Sequence, residues 1–121
     1  MTKRILIVED TEDNRQILRD LLTAAGYELL EAVDGEAGVA MAAEHKPDLI
    51  LMDMQLPVLD GYEATRRIKA DPALAHIPVI AVTSYALSGD EAKTRAAGCN
   101  AYVAKPFSPR QLLAKVREFL G

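Results

Sequence analysis

Five residues with complementary chemistry fall just past four short apolar runs. Glu9 and Asp10 follow Ile5–Val8, Asp53 follows Leu49–Met52, Thr83 follows Val79–Val82, and Lys105 follows Ala101–Ala104. Carboxylates without His or Cys suit a hard divalent ion, Mg²⁺ retaining several waters. An Asp carboxylate is also a nucleophile toward phosphorus, giving an acyl phosphate. The charge on transferring phosphoryl oxygens then calls for the metal, a cation and a hydroxyl, which Lys105 and Thr83 would supply. Each residue has a plainer reading. Glu9 and Asp10 could only favour the next helix N-terminus, Thr83 could be an ordinary strand-end threonine, and Lys105 a snorkelling lysine. Asp53 resists that treatment, because it ends the run LILM and, near two other acids, carries like-charge repulsion unless a cation is present. The conjunction of four strand ends in one complementary set carries the argument.

Such a set needs a sheet whose strands end together. Unbroken apolar runs of strand length indicate parallel strands buried on both faces. A fifth segment, Glu28–Ala32, mixes Glu28 and Glu31 with Leu29 and Leu30, which suits an edge strand contributing nothing to the site. Helical periodicity fills the gaps. Ile17, Leu18, Leu21, Leu22 and Ala25 share a face, started by Asp13 with Gln16 in a capping-box spacing and stopped by Gly26. A second helix starts near Asp34-Gly35, runs through Ala37, Ala40 and Met41, and ends at His45, Lys46 and Pro47. A third starts at Asp60 with Glu63 and turns Ala64 and Ile68 inward. The fourth starts at Ser88 with Glu91, is apolar mainly through Ala92, Ala96 and Ala97, and ends at Gly98. The fifth starts at Ser108-Pro109 with Gln111 closing the box, and Leu112, Leu113, Val116, Phe119 and Leu120 line its buried face. Five strands alternating with five helices give an α/β domain with right-handed crossovers, whose ligands bind beyond the carboxyl ends of the strands.

The chain has 121 residues, 14 Lys and Arg against 18 Asp and Glu, and one cysteine. That is room for a single domain, residues 1–121, and not for a fused DNA-binding output domain. A formal charge of −4 argues against nucleic acid or an anionic membrane surface as partner. No apolar run approaches the roughly 20 residues of a membrane span, and a lone Cys99 favours a reducing, cytoplasmic setting. Glu9, Asp10 and Asp53 alone could supply three of the excess negative charges.

The motifs IVED at 7–10, LILMDMQLPVLDGYE at 49–63, VTS at 82–84 and YVAKPF at 102–107 resemble the bacterial two-component response-regulator receiver domain over essentially the whole chain. The segment TSYALSGDE resembles single-domain, DivK-like regulators and also receiver modules of hybrid histidine kinases. The resemblance implies a flavodoxin-like, CheY-like (βα)5 doubly wound parallel sheet in the order 2-1-3-4-5. It implies that Asp53 is the phosphoacceptor, charged from a phosphohistidine of a sensor histidine kinase or histidine phosphotransfer protein. Asp10, Asp53 and the backbone carbonyl of Gln55 would hold Mg²⁺, with Glu9 acting through water. Thr83 would bind the phosphoryl oxygens, Lys105 would pair with the phosphate, its bond to Pro106 would be cis, and Tyr102 would turn inward as Thr83 moves. Ser84, Gln55 and Tyr85 are positions that would set access and phosphoryl lifetime. The result would be a signalling domain, assisting its own phosphorylation and dephosphorylation but not an enzyme, that presents a switched surface to a downstream protein target as a monomer or weak homodimer.

Two surface expectations follow. The fourth helix, held through small residues, is expected to be loosely anchored and to shift with Tyr102, against the reading of a tightly seated small-residue helix. Asn14, Ile17 and Phe107 should surround the acidic pocket as a docking site for the phosphodonor, although Ile17 as ordinary core carries more weight. Arg66, Arg67 and Lys69 are read as a solvated, favourable-dipole end of the third helix, Cys99 as a small turn residue, and His45 and His76 as surface or loop residues. Competing functions lack their chemistry. A flavin carrier needs a Gly- and hydroxyl-rich first loop, where this chain has Glu9-Asp10-Thr11-Glu12-Asp13. A haloacid-dehalogenase phosphatase needs a second Asp two residues after the first, where Gln55 stands, and there is no Gly-rich loop ending in Lys-Ser or Lys-Thr. A receiver-like fold that only binds partners is the serious alternative, and the joint presence of Asp10, Asp53, Thr83 and Lys105 argues against it.

Overall fold

Alternation along each apolar run decides how the sheet is covered. In the computed structural model, which describes residues 2–84 and 90–121, the strands are β1 (Arg4–Val8), β2 (Glu28–Ala32), β3 (Leu49–Asp53), β4 (Val79–Thr83) and β5 (Ala101–Ala104). The helices between and after them are α1 (Glu12–Ala24), α2 (Gly35–His45), α3 (Gly61–Ala70), α4 (Asp90–Ala97) and α5 (Pro109–Leu120). All strand pairs are parallel, in the order β2-β1-β3-β4-β5. This is the expected flavodoxin-like, doubly wound arrangement, with its switch point between β1 and β3. Successive side chains point to opposite faces. Ile5, Ile7, Leu49, Leu51, Ile80 and Val82 pack with Leu18 and Leu22 of α1 and Leu112 and Val116 of α5. Leu6, Val8, Ile50, Met52, Val79 and Ala81 pack with Ala42 of α2, Ala64 and Ile68 of α3 and Ala97 of α4. Each such Leu or Ile contributes about 1.5–3 kcal/mol on burial, so the strand ends are set in a stiff frame.

The local signals act where expected at α2, α3 and α5. Asp34 accepts from the Ala37 amide at 2.8 Å, Asp60 from Glu63 at 2.9 Å and Ser108 from Gln111 at 3.1 Å. Each helix thereby gains a partner for an otherwise orphaned N–H. Gly61 is required by close approach: a Cβ there would lie 2.2 Å from the Asp53 carbonyl oxygen, so α3 can begin directly against the end of β3.

Five expectations are corrected. Helix α1 is capped by Thr11, without a side-chain cap bond, so Asp13 lies inside the first turn and the Asp13–Gln16 box does not form. Strand β5 is the far edge of the sheet: Ala101 and Tyr102 are half-buried and Ala104 is exposed, so its apolar run is not buried on both faces. Ala92 and Ala96 are exposed, and α4 is seated through Thr94 and Ala97 instead. Lys69 is not simply solvated. Its Nζ donates to the carbonyls of Ala75 at 3.1 Å and Ile77 at 2.7 Å, tying down the turn after α3, and burial pulls its pKa below the ordinary lysine value. Ile17 is 52% exposed, one helical step from buried Leu18, so the core reading fails for it. Ser88 and Tyr85 lie outside the described residues. Cys99 is buried in the turn after Gly98, its thiol 3.8 Å from the Thr65 hydroxyl; burial raises the thiol pKa.

Candidate functional site

The carboxyl ends of β1, β3, β4 and β5 bring Glu9, Asp10, Asp53, Thr83 and Lys105 together, because parallel strands in register end on the same edge. Glu9 and Asp53 are each 3% exposed, whereas Asp10 faces solvent. One oxygen from each of the three carboxylates lies within 4.8 Å of the others. Two buried carboxylates need compensation, and Lys105 supplies it. Its Nζ donates to Asp53 Oδ2 at 2.8 Å and to Glu9 Oε1 at 3.0 Å. Burial alone would lower the Lys105 pKa, but the hydrogen bonds and negative charges of Asp53 and Glu9 outweigh it and raise it above the usual value. The Lys105–Pro106 peptide bond is cis.

Backbone and polar side chains complete the frame. The Gln55 amide donates to Asp53 Oδ1 at 3.0 Å, so both Asp53 oxygens are engaged. The Gln55 side chain reaches across the pocket, with Nε2 3.3 Å from Thr83 Oγ1 and Oε1 accepting from the Ser84 amide at 3.5 Å. Glu9 accepts from the Thr11 amide at 3.1 Å and from Asn14 Nδ2 at 3.4 Å. Asp10 has its pKa raised, first by partial burial and then by the Glu9 carboxylate beside it. That is the repulsion a bound cation relieves. The donor set is all oxygen, clustered and open to solvent through Asp10, so it fits a hard divalent ion.

Tyr102 stands half-buried on β5, among the side chains packed against the α2–α3 side of the sheet. Asn14, Ile17, Ser84, Lys105, Pro106 and Phe107 line one cavity of about 310 Å³ beside the acids. The edge strand contributes more than expected. The Ala32 carbonyl accepts the Glu9 amide at 3.1 Å, and Glu31 holds Arg19 at 2.8 and 2.9 Å and lies 3.6 Å from Arg15. Arg15 in turn donates to the Glu9 carbonyl at 2.8 Å. Neither arginine was singled out by the strand-end argument. The signal was the spacing of Glu12, Arg15 and Arg19, three and four residues apart on one helical face.

A family model for the response regulator receiver domain matches residues 5–117. The polar-differentiation response regulator DivK of Brucella ovis is 48% identical, over all of this chain and 98% of the relative. The solved receiver domain of a sensor histidine kinase from Pseudomonas aeruginosa PAO1, which has a magnesium ion coordinated in its active site cleft, superposes with a TM-score of 0.93. It is 40% identical and covers 100% of this chain and 99% of its own. The chemotaxis protein CheY4 of Vibrio cholerae is 27% identical with a TM-score of 0.92, covering 98% of this chain and 99% of its own. An acidic triad closed by a lysine at the switch edge of a 2-1-3-4-5 sheet, on a sequence alike along its length, makes this chain a member of the response regulator receiver domain family.

Proposed function

We propose that residues 1–121 act as one phosphoacceptor unit of a two-component pathway, with Asp53 taking the phosphoryl group of a phosphohistidine on a sensor kinase or phosphotransfer protein. The observation that carries the reading is the Lys105 ammonium shared between Asp53 and Glu9, at 2.8 and 3.0 Å, beside an all-oxygen acidic cluster. In the transfer, an Asp53 carboxylate oxygen forms a bond to phosphorus as the donor's N–P bond breaks, and the electron pair returns to the imidazole. Asp10, Asp53 and the Gln55 carbonyl would hold Mg²⁺, with Glu9 reaching it through water. The ion supplies charge neutralisation for the phosphoryl oxygens and the entering carboxylate. Lys105 then exchanges its carboxylate partner for a phosphoryl oxygen, and the Thr83 hydroxyl donates to another. Hydrolysis would return the aspartate by attack of water on the acyl phosphate, with Gln55 and Ser84 bounding the approach and setting the lifetime. No other covalent chemistry is required, so the unit signals rather than turns over a substrate.

Donation from the Thr83 hydroxyl to a phosphoryl oxygen would draw Thr83 toward Asp53. Tyr102 on the adjacent strand would follow, and with it α4, which has few buried side chains. The altered face would be read by a downstream protein. The donor would dock over the cavity edged by Ile17 and Phe107 beside Lys105. Among the described residues no helix is long and apolar enough to cross a membrane. Incubation with acetyl phosphate and Mg²⁺, followed by intact mass measurement, tests the reading. A phosphoryl adduct lost in Asp53→Asn supports it, and no adduct even with a purified cognate kinase overturns it.

A further inference from the structure

We propose that Arg15 is a positioning residue for the Glu9–Asp10 turn, an inference that rests on reading this turn as part of a Mg²⁺ site. The Arg15 side chain is largely buried, and its guanidinium is gripped on two sides by acids, Glu12 and Glu31. Its Nη1 donates to the Glu9 carbonyl at 2.8 Å. That oxygen belongs to the peptide joining Glu9 to Asp10, so its direction sets how Asp10 leaves the strand. The Glu9 amide, on the other side of the same residue, is held by the Ala32 carbonyl at 3.1 Å. With both backbone groups of Glu9 pinned, the buried Glu9 carboxylate and the exposed Asp10 carboxylate are held in position through the backbone, while the Arg15 guanidinium pairs with Glu12 and Glu31.

Arg19 supplies a matched comparison. It carries the same charge, lies one turn along the same helix and pairs with the same two acids, Glu31 at 2.8 Å and Glu12 at 3.3 Å. Among the described residues it makes no hydrogen bond to Glu9. If charge alone mattered, removing either arginine would leave the neighbourhood more negative and tighten Mg²⁺ binding. Positioning predicts the opposite sign for Arg15 only, because a turn free to rotate loses the ordered geometry that the small, strictly octahedral ion demands.

The experiment is calorimetric titration of Mg²⁺ into the chelator-treated wild type, Arg15→Met and Arg19→Met, with thermal unfolding in EDTA as a separate measure of stability. Arg15→Met should bind Mg²⁺ about fivefold more weakly, equivalent to about 1 kcal/mol, while Arg19→Met binds as wild type or more tightly. A purely structural role would lower the unfolding midpoint and leave the Mg²⁺ affinity alone. Arg15→Gln is the second variant, judged by the same criterion, should the Met variant not fold. Equal or tighter binding by the Arg15 variant, or equal weakening in the Arg15 and Arg19 variants, overturns the inference and leaves the metal site standing. Absence of Mg²⁺ binding by wild type overturns the metal site and the inference together.

Discussion

Replacing Lys105 with Met removes the cation that two buried acids share while keeping most of the side-chain volume. Breaking a buried pair by deleting one partner costs about 3–5 kcal/mol. Lys105 keeps 20% of its side chain exposed, so water already screens part of the interaction, and about 2 kcal/mol is expected. An unfolding entropy of about 2.1 cal/mol/K per residue amounts to about 0.25 kcal/mol/K for this chain, so the midpoint in EDTA should fall by about 8 °C. Mg²⁺ should restore much of that loss, because a divalent ion offsets the same carboxylates, whereas NaCl should restore little. The pH dependence has a defined sign. The folded pKa of Lys105 is raised above the ordinary 10.5, so its contribution is fully present below that value and fades as pH rises through the higher folded one. The gap between wild type and Lys105→Met should therefore narrow as pH rises into the alkaline range. Differential scanning calorimetry over this range, with EDTA and with Mg²⁺, is the assay. An unchanged midpoint in EDTA, or a loss that Mg²⁺ does not repair, would refute the compensation argument.

Asp10→Asn should raise the unfolding midpoint in EDTA, since its ionised form is disfavoured by burial and by Glu9, and should abolish the added stability from Mg²⁺; a lower midpoint in EDTA would contradict the repulsion. Val58 has φ +68° with 76% of its surface exposed and sits inside a tight turn closed by Leu59 N to Pro57 O at 2.7 Å. Relief of about 1–2 kcal/mol of left-handed strain, less about 0.5–1 kcal/mol for glycine's greater freedom when unfolded, should make Val58→Gly more stable by about 0.5–1 kcal/mol in urea unfolding. Substituting Ile17 and Phe107 with Ala should slow transfer from a phosphohistidine donor at least severalfold and spare labelling by acetyl phosphate; equal losses in the two assays would remove the docking role. Hydrogen exchange with and without beryllofluoride should show residues 90–98 losing or gaining protection, and identical protection would argue for a seated α4.

Much of this protein was legible in its sequence because the deciding signals are local or periodic. The runs ILIV, LILM and VIAV form strands buried throughout, and the acid, hydroxyl and ammonium that interrupt or follow such runs must stand at one edge once the strands are parallel. The caps at Asp34, Asp60 and Ser108 act within one turn. What failed depended on neighbours distant in sequence. Whether Ile17 is core, whether Ala92 and Ala96 seat α4, and whether β5 is buried are settled by which element lies alongside, and composition carries no record of that. Lys69 reads as a surface charge until the following turn folds back to offer it two carbonyls.

The sequence by itself determined the chemistry available here: which groups the strand ends carry, and that they form an oxygen-rich set with one ammonium and one hydroxyl. The tertiary structure decided how those groups tolerate one another. Only the placement of β5 beside β4, from whose end Lys105 reaches back over the strand ends, puts its ammonium between two buried carboxylates, and only the packing of α1 against the acidic edge strand turns Arg15 onto the Glu9 carbonyl. Residue type fixes what a side chain can donate or accept. Distances of about 3 Å, at which charges in a low-dielectric pocket compensate or repel strongly, are set by the packing of elements far apart along the chain.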